Sequence, residues 1–304
     1  ESALALQQNT AARDAIQKAA TLAEEVHSFQ LSKRVYGLYK DIAAAGGWIS
    51  FARFMEQLLY APGMGYYTAG SRKFGAAGDF VTAPELTALF GQSLARQVAQ
   101  VMAASGSAVL EVGAGSGRLA ADLLLELERM GSLPDHYLIL DLSADLRQRQ
   151  HQHISAAAPH LMARVAWLDC LPEEFTGAVV ANELLDAMPA HVVAWRDTGI
   201  QERGVSCDGA GGFAWIERPA SGAILQAAEE IGIQCSLPPG FESEISLAVR
   251  AWSAEWGHRL KKGALLLIDY GFPRREFYHQ QRGRGTRMCH YRHHAHPDPF
   301  YLPG

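Results

Sequence analysis

A Rossmann-like α/β fold on a parallel sheet is what this sequence predicts, and three observations predict it. From residue 108 onward short apolar runs alternate with amphipathic stretches, a glycine-rich turn follows the first apolar run, and acidic residues stand at the ends of successive runs. Alternation at this spacing builds βαβ units and hence a parallel sheet.

The elements follow in chain order. Ala11 to Val26 reads as helix, because Ala, Leu, Gln and Glu dominate and neither Gly nor Pro occurs before Gly37. A second helix is expected from Ser50 to Leu59, with Ser50 as its N-cap and Phe51, Phe54, Met55, Leu58 and Leu59 on one face. Ala61 to Pro84 is rich in glycine and aromatic residues and reads as a long loop, of a kind more often functional than idle.

Ala108 to Val112 is then a strand, Gly113 to Gly117 a turn, and Arg118 to Met130 a helix with its leucines on one face. Tyr137 to Leu142, Arg164 to Leu168 and Gly177 to Ala181 are further strands, with a helix from Ala144 to Ser155. Between Ala190 and Pro219 the period changes to two, which predicts an antiparallel β meander inserted in the α/β core. Helices are expected at Ala223 to Gln234 and Phe241 to Lys261, and a buried strand at Ala264 to Tyr270. The organisation expected is an N-terminal helical region and cleft-covering loop over 1–90, followed by a core over 91–304 with the β insertion at about 190–219.

Bulk properties narrow the function classes. In 304 residues, 48% are hydrophobic and 19% charged, the balance of a folded globular chain with a substantial core. A net charge of −5 argues against a nucleic-acid footprint. No apolar run approaches the roughly 20 residues of a membrane span. Cys170, Cys207, Cys235 and Cys289 are widely spaced, as in a reducing compartment.

The chemistry concentrates around Glu111-Val112-Gly113-Ala114-Gly115-Ser116-Gly117. Glycines between strand and helix let main chain approach a ligand closely. A nicotinamide fingerprint needs G-x-G-x-x-G, but Arg118 holds the sixth position and Gly117 comes one residue early. An acid followed by G-x-G-x-G suits S-adenosylmethionine better, with Glu111 meeting the ammonium end directly or through water. Asp141, about 20 residues beyond the loop, stands where a carboxylate takes ribose hydroxyls. Asp169 could accept from the adenine amino group. Each of these acids could instead cap a helix, with Asp141 or Ser143 beginning the next one. Asn182 and Glu183 close the fourth strand and would face the reactive end of the cofactor, with Asp186 three residues on.

These segments resemble the MidA-type class I methyltransferases. The resemblance is carried by Gly63-Met64-Gly65-Tyr66-Tyr67, by Gly78-Asp79-Phe80-Val81-Thr82-Ala83-Pro84-Glu85, by Glu111 to Gly117, Ala181 to Pro189, Asp269-Tyr270-Gly271, and by Gly285-Thr286 with His290. It spans roughly Gly47 to the end. It implies an S-adenosylmethionine-dependent methyltransferase whose mitochondrial relatives modify an arginine of a respiratory complex I subunit. The implied location is cytoplasmic in a bacterium and the mitochondrial matrix for organellar relatives. By position, Glu111, Gly113, Gly115 and Gly117 would form the cofactor loop, Asn182, Glu183 and Asp186 the transfer site, and Gly78 and Asp79 a cover over the cleft. Relatives often carry glutamate where Asp141 stands, and they continue beyond Leu302-Pro303-Gly304.

His290, His293, His294 and His296 lack a companion set of cysteines or carboxylates at ligand spacing, so no metal is expected. His290 is the one taken as a candidate lining the acceptor cleft. A contrasting class of function is a catalytically silent assembly module with the Trp195 to Trp215 meander as its docking face.

Overall fold

The computed structural model describes residues 33–68, 81–208, 212–291 and 293–301. The expected helix Ala11 to Val26, the loop residues Gly70 and Gly75, and the cofactor candidates Gly78 and Asp79 lie outside the described residues.

Helix α1 covers residues 33–44. Strand β1 (Ile49–Ser50) leads into α2 (Phe51–Tyr60), where Ser50 Oγ accepts from the Arg53 N–H at 3.2 Å, the cap that the sequence predicts. Of the long loop, residues 61–68 form turns, but its end winds into a short helix, α3 (Ala83–Leu86), and α4 (Ala88–Ala104) follows. Pro84 in the first turn of α3 needs no N–H partner there, which is why a proline begins a helix.

The parallel core follows: β2 (Ala108–Val112), α5 (Arg118–Arg129), β3 (His136–Leu140), α6 (Ala144–Ala157), β4 (Val165–Leu168) and β5 (Phe175–Asn182). The chain then leaves the core for β6 (His191–Arg196), β7 (Gly199–Cys207), β8 (Phe213–Pro219), α7 (Gly222–Cys235), β9 (Glu242–Ile245) and α8 (Leu247–Arg259). It returns as β10 (Leu260–Ile268), then adds the short α9 (Arg274–Phe277) and a hairpin of β11 (Cys289–Tyr291) and β12 (His294–His296).

The five core strands lie in the order β10-β5-β2-β3-β4 and every pairing is parallel. Alternate residues enter opposite layers. Val109, Ala178 and Val180 pack with α4 and α5, whereas Leu110, Val112 and Val179 pack with Trp256 of α8. From β2 the chain moves to β3 and β4, then crosses back to place β5 on the other side of β2. The order therefore reverses between β2 and β5, and in open α/β sheets the carboxyl ends of the strands at such a switch point are where a ligand crevice forms.

The inserted sheet is larger than the sequence predicts. Strands β6, β7 and β8 form the expected meander, but β1 joins the edge of β7 and β9 pairs with β6. The expected helix over Phe241 to Lys261 is corrected accordingly. Glu242–Ile245 is a strand, α8 begins only at Leu247, and Leu260 and Lys261 belong to β10. The physical reason is the open edge of β6. Ser243 and Ile245 bury on one face while Glu242 and Glu244 reach ion pairs with Arg196, Arg203 and Arg287. Ser246 then caps α8 by accepting the Val249 N–H at 3.1 Å.

Candidate functional site

The glycine loop leaves the crevice side of β2. Gly113, Gly115 and Gly117 take φ of +73°, +53° and +83°, the left-handed region where a Cβ is costly. A Cβ on Gly117 would come within 2.8 Å of Gln150 Cα, and one on Gly113 within 3.0 Å of Leu184 Cδ1. The Gly113 N–H donates to the Leu140 carbonyl at 2.9 Å, and the Gly117 N–H to the Ala114 carbonyl at 2.8 Å. The loop is thus bare main chain held in a fixed curve.

The acids at the strand ends sit in different settings. Glu111 is 2% exposed and its Oε2 accepts from the Tyr137 hydroxyl at 2.6 Å. Burial pushes its carboxyl up to about 7, the Tyr137 bond opposes that shift, and Asp141 adds to it. Asp141 is buried: Oδ1 accepts the Ser143 N–H at 2.9 Å and Oδ2 accepts from Gln150 Nε2 at 2.8 Å. Ser143 spends its hydroxyl capping α6 at the Leu146 N–H, 3.3 Å away. Asp169 stands apart, with a side chain 93% exposed and paired with Arg147 at 2.7 Å. Arg147 also donates to the Asp141 carbonyl at 2.8 Å, so it straps the tip of β4 to that of β3.

Gln150 is the residue that sequence reasoning missed here. Wholly buried, it gives its amide N–H groups to Asp141 and to the Gly115 carbonyl at 3.1 Å, and its carbonyl accepts from Trp167 Nε1 at 2.9 Å. One side chain therefore joins the glycine loop to the ends of β3 and β4. Its signal was present: Leu146, Gln150 and Ile154 recur at intervals of four on the buried face of α6.

Across the crevice, β5 runs into the second half of the site. Glu183 takes φ +48°, a left-handed conformation rare for a non-glycine residue, and its N–H donates to the Ile268 carbonyl at 2.8 Å. Its carboxylate accepts from the Asn182 side chain and from the Ala83 N–H, while burial and the charges of Asp186 and Asp269 push it up to about 7. Burial and the Asp269 charge likewise raise Asp186 to about 6. Asp269, at the tip of β10, accepts the N–H groups of Leu185 at 2.7 Å and Asp186 at 3.3 Å. Two carboxylates on the turn and a third at the tip of β10 thus stand together.

Tyrosines close around this cluster. The Tyr60 hydroxyl donates to the Ala187 carbonyl at 2.8 Å, and the Tyr60 and Tyr67 rings stack at 5.6 Å between centroids. Burial and then Asp186 raise the Tyr60 hydroxyl, and burial, Tyr60, Asp186 and Glu183 raise that of Tyr67. Tyr270 is raised first by Glu183. Asp269 and these tyrosines were legible only as motif letters, because no local spacing joins them. His290 lies exposed on β11, opposite Ala295. Among the described residues no group of three or more His, Cys, Asp or Glu side chains could hold a metal ion.

The structure therefore brings the glycine loop, Glu111, Asp141 and the Asn182–Asp186 turn to one end of the sheet. A family model described as S-adenosyl-L-methionine-dependent methyltransferase matches residues 93–304. The chain is 51% identical to a Burkholderia thailandensis protein crystallised with S-adenosyl-homocysteine. That match has a TM-score of 0.87 and covers 91% of this chain and 72% of the other. A native crystal structure of a protein from the same organism matches at 50% identity and a TM-score of 0.83, over 91% and 71% of the two chains. Among curated proteins, the mitochondrial protein arginine methyltransferase NDUFAF7 of Danio rerio is 29% identical over 75% of this chain and 59% of its own length. Its Caenorhabditis elegans homolog is 30% identical over 50% and 41%. The chain spans about half the length of these curated relatives.

Proposed function

Since the chain belongs to the MidA-type S-adenosyl-L-methionine-dependent methyltransferase family, we propose that it methylates a protein side chain, namely an arginine nitrogen. The observation that carries this reading is the switch point between β2 and β5, with bare glycine main chain after β2 and the Glu183, Asp186 and Asp269 carboxylates at the ends of β5 and β10.

The residues present fit the cofactor. Gly113 to Gly117 offer main chain without side chains, Asp141 stands at the end of the neighbouring strand for the ribose, and Asn182 lies across from the loop. Glu111 is the candidate for the amine end. Asp169 and Ser143 would line the base side. When bound, S-adenosylmethionine supplies an electrophilic methyl group on a sulfonium.

The chain's own residues supply position and charge. Glu183 is half-buried and Asp186, though exposed, sets its charge beside it, a setting that welcomes a delocalised, bidentate cation such as guanidinium. Binding it relieves their repulsion. Orienting one guanidinium nitrogen in line with the methyl carbon converts an encounter into a unimolecular displacement. The acceptor nitrogen would shed a proton on methylation, and Glu183 would be the base placed to take it. Tyr60 holds the turn through Ala187, and its ring stacks on that of Tyr67. His290 is proposed to border the acceptor side.

The acceptor proposed is a respiratory complex I subunit or its homologue. The test is transfer of labelled methyl from S-adenosylmethionine into protein of a cognate extract, with the modified residue read by mass spectrometry. Label on an arginine is expected. Binding of the cofactor without any transfer would favour an assembly module instead, and label on another residue type would overturn the arginine assignment.

A further inference from the structure

The short segment ahead of α4 touches both lips of the crevice. Glu85 of α3 accepts a hydrogen bond from Ser116 Oγ, in the middle of the glycine loop. The same Ser116 oxygen accepts the Arg118 N–H at 3.3 Å, so the hydroxyl is oriented before it reaches Glu85. Two residues earlier, the Ala83 N–H donates to the Glu183 carboxylate. One turn of chain thus joins the cofactor loop to the transfer site.

Glu85 and Glu111 differ in what they can offer a cationic group at the loop. Glu111 issues from β2, is 2% exposed, and has one oxygen committed to Tyr137. Its carboxyl is also pushed up to about 7, so a large fraction is neutral at neutral pH. Glu85 is half-buried, clamped through Oε1 by Ser116, and its Oε2 makes no hydrogen bond among the described residues.

We propose that Glu85, in place of Glu111, is the cofactor-binding residue whose carboxylate, fixed by Ser116, receives the α-ammonium group of S-adenosylmethionine. This rests on the methyltransferase reading of the crevice. Because Ala83 meets Glu183, the amino-acid end of the cofactor and the acceptor base are then registered against each other by one rigid turn.

Two ligands separate this contact from a general loosening of the loop. S-adenosylhomocysteine carries the ammonium group; 5′-methylthioadenosine keeps the nucleoside and the sulfur and lacks the amino acid. Calorimetric titration of the whole chain should show Glu85→Gln binding S-adenosylhomocysteine roughly tenfold to hundredfold more weakly, as for loss of a charge-assisted hydrogen bond. Its affinity for 5′-methylthioadenosine should stay within about twofold of the parent. Ser116→Ala, which frees the carboxylate but keeps its charge, should give a smaller loss confined to S-adenosylhomocysteine. An equal loss for both ligands, or no loss for S-adenosylhomocysteine, overturns the assignment of Glu85. A parent chain that binds neither ligand overturns the methyltransferase reading, and this proposal with it.

Discussion

Asp269 accepts the backbone N–H of Leu185 at 2.7 Å, so the tip of β10 holds the turn that grows from its neighbour β5. The same carboxylate adds negative charge beside Glu183 and Asp186. It therefore acts twice, once on the path of the turn and once on the protons of the acids that the turn presents. Asp269→Asn keeps one acceptor oxygen and removes the charge. We expect kcat to fall by roughly tenfold or more as the turn loosens, and the acid limb of the pH profile to move to lower pH. Unchanged kcat with an unmoved limb would remove Asp269 from both roles.

Glu183, at about 7, and Asp186, at about 6, set the pH dependence of transfer. Both shifts are upward, so both carboxyls gain protons as pH falls through that range and lose the capacity to hold a cation or take its proton. Activity should therefore rise with pH across roughly 5.5 to 7.5 and level off above, in two overlapping steps that belong to the pair. Asp186→Asn removes a repelling charge, so the remaining limb should move to lower pH. Rate profiles for both chains check this, and a parent profile flat down to pH 5 would contradict it.

Glu183→Gln keeps the size of the side chain and its bond to the Ala83 N–H but cannot accept a proton. Turnover should drop by about 10²-fold to 10⁴-fold, the usual worth of a general base. Affinity for S-adenosylhomocysteine should hold within a few-fold, because the Glu183 carboxylate belongs to the acceptor side. Undiminished turnover in single-turnover kinetics would show that the acceptor nitrogen loses its proton elsewhere.

What could be read from the sequence was whatever local pattern decides. Strand β2 occupies Ala108–Val112 as expected, Ser50 caps α2, and the switch to a period of two at residue 191 marks the inserted meander. Glu242–Ile245 misled because helix and strand are decided there by the edge that β6 offers, a partner about fifty residues away in the chain. The site divides in the same manner. The glycine loop and the acids at strand ends are visible as letters in a row. Gln150 is visible only to a reader who asks which face of α6 is buried, and Asp269 acts across 84 residues on Leu185. Contacts of that range leave no spacing to find.

Gly117 carries both a conformational and a steric requirement. At φ +83° an alanine is strained by about 1 to 2 kcal/mol, and its Cβ would lie 2.8 Å from Gln150 Cα, a backbone atom that cannot swing aside. Overpacking of that kind adds about 1 to 3 kcal/mol. Gly117→Ala should therefore lower the melting temperature by several degrees and weaken S-adenosylhomocysteine binding, since Gln150 also holds the Gly115 carbonyl. Gly131, at φ +67° with open space around its Cβ position, serves as the control. Gly131→Ala should show the conformational cost alone and leave ligand affinity unchanged. Equal effects at the two positions would mean that the contact with Gln150 contributes nothing.

Glu111 links the same pocket to stability, and the sign of the linkage follows from its raised carboxyl. Between the ordinary 4.5 and about 7 the folded chain holds a proton that the unfolded chain has released. Folding is then favoured at the acid end of this window, and stability declines as pH rises through it. At about 1.4 kcal/mol for each pKa unit, the full effect of this one group is about 3 kcal/mol, reached above pH 7. Glu111→Gln is neutral at every pH, and its carbonyl can still accept from the Tyr137 hydroxyl. Glu183 and Asp186 slope the same way, but they remain in both chains and cancel in the comparison. The variant should therefore gain on the parent in denaturant melts as pH is raised from 5 to 8, with the gap closing at pH 4.5 and below. A gap that stays constant across that range would mean that Glu111 is already ionised in the folded protein, and that a cation or a water within the crevice offsets its burial.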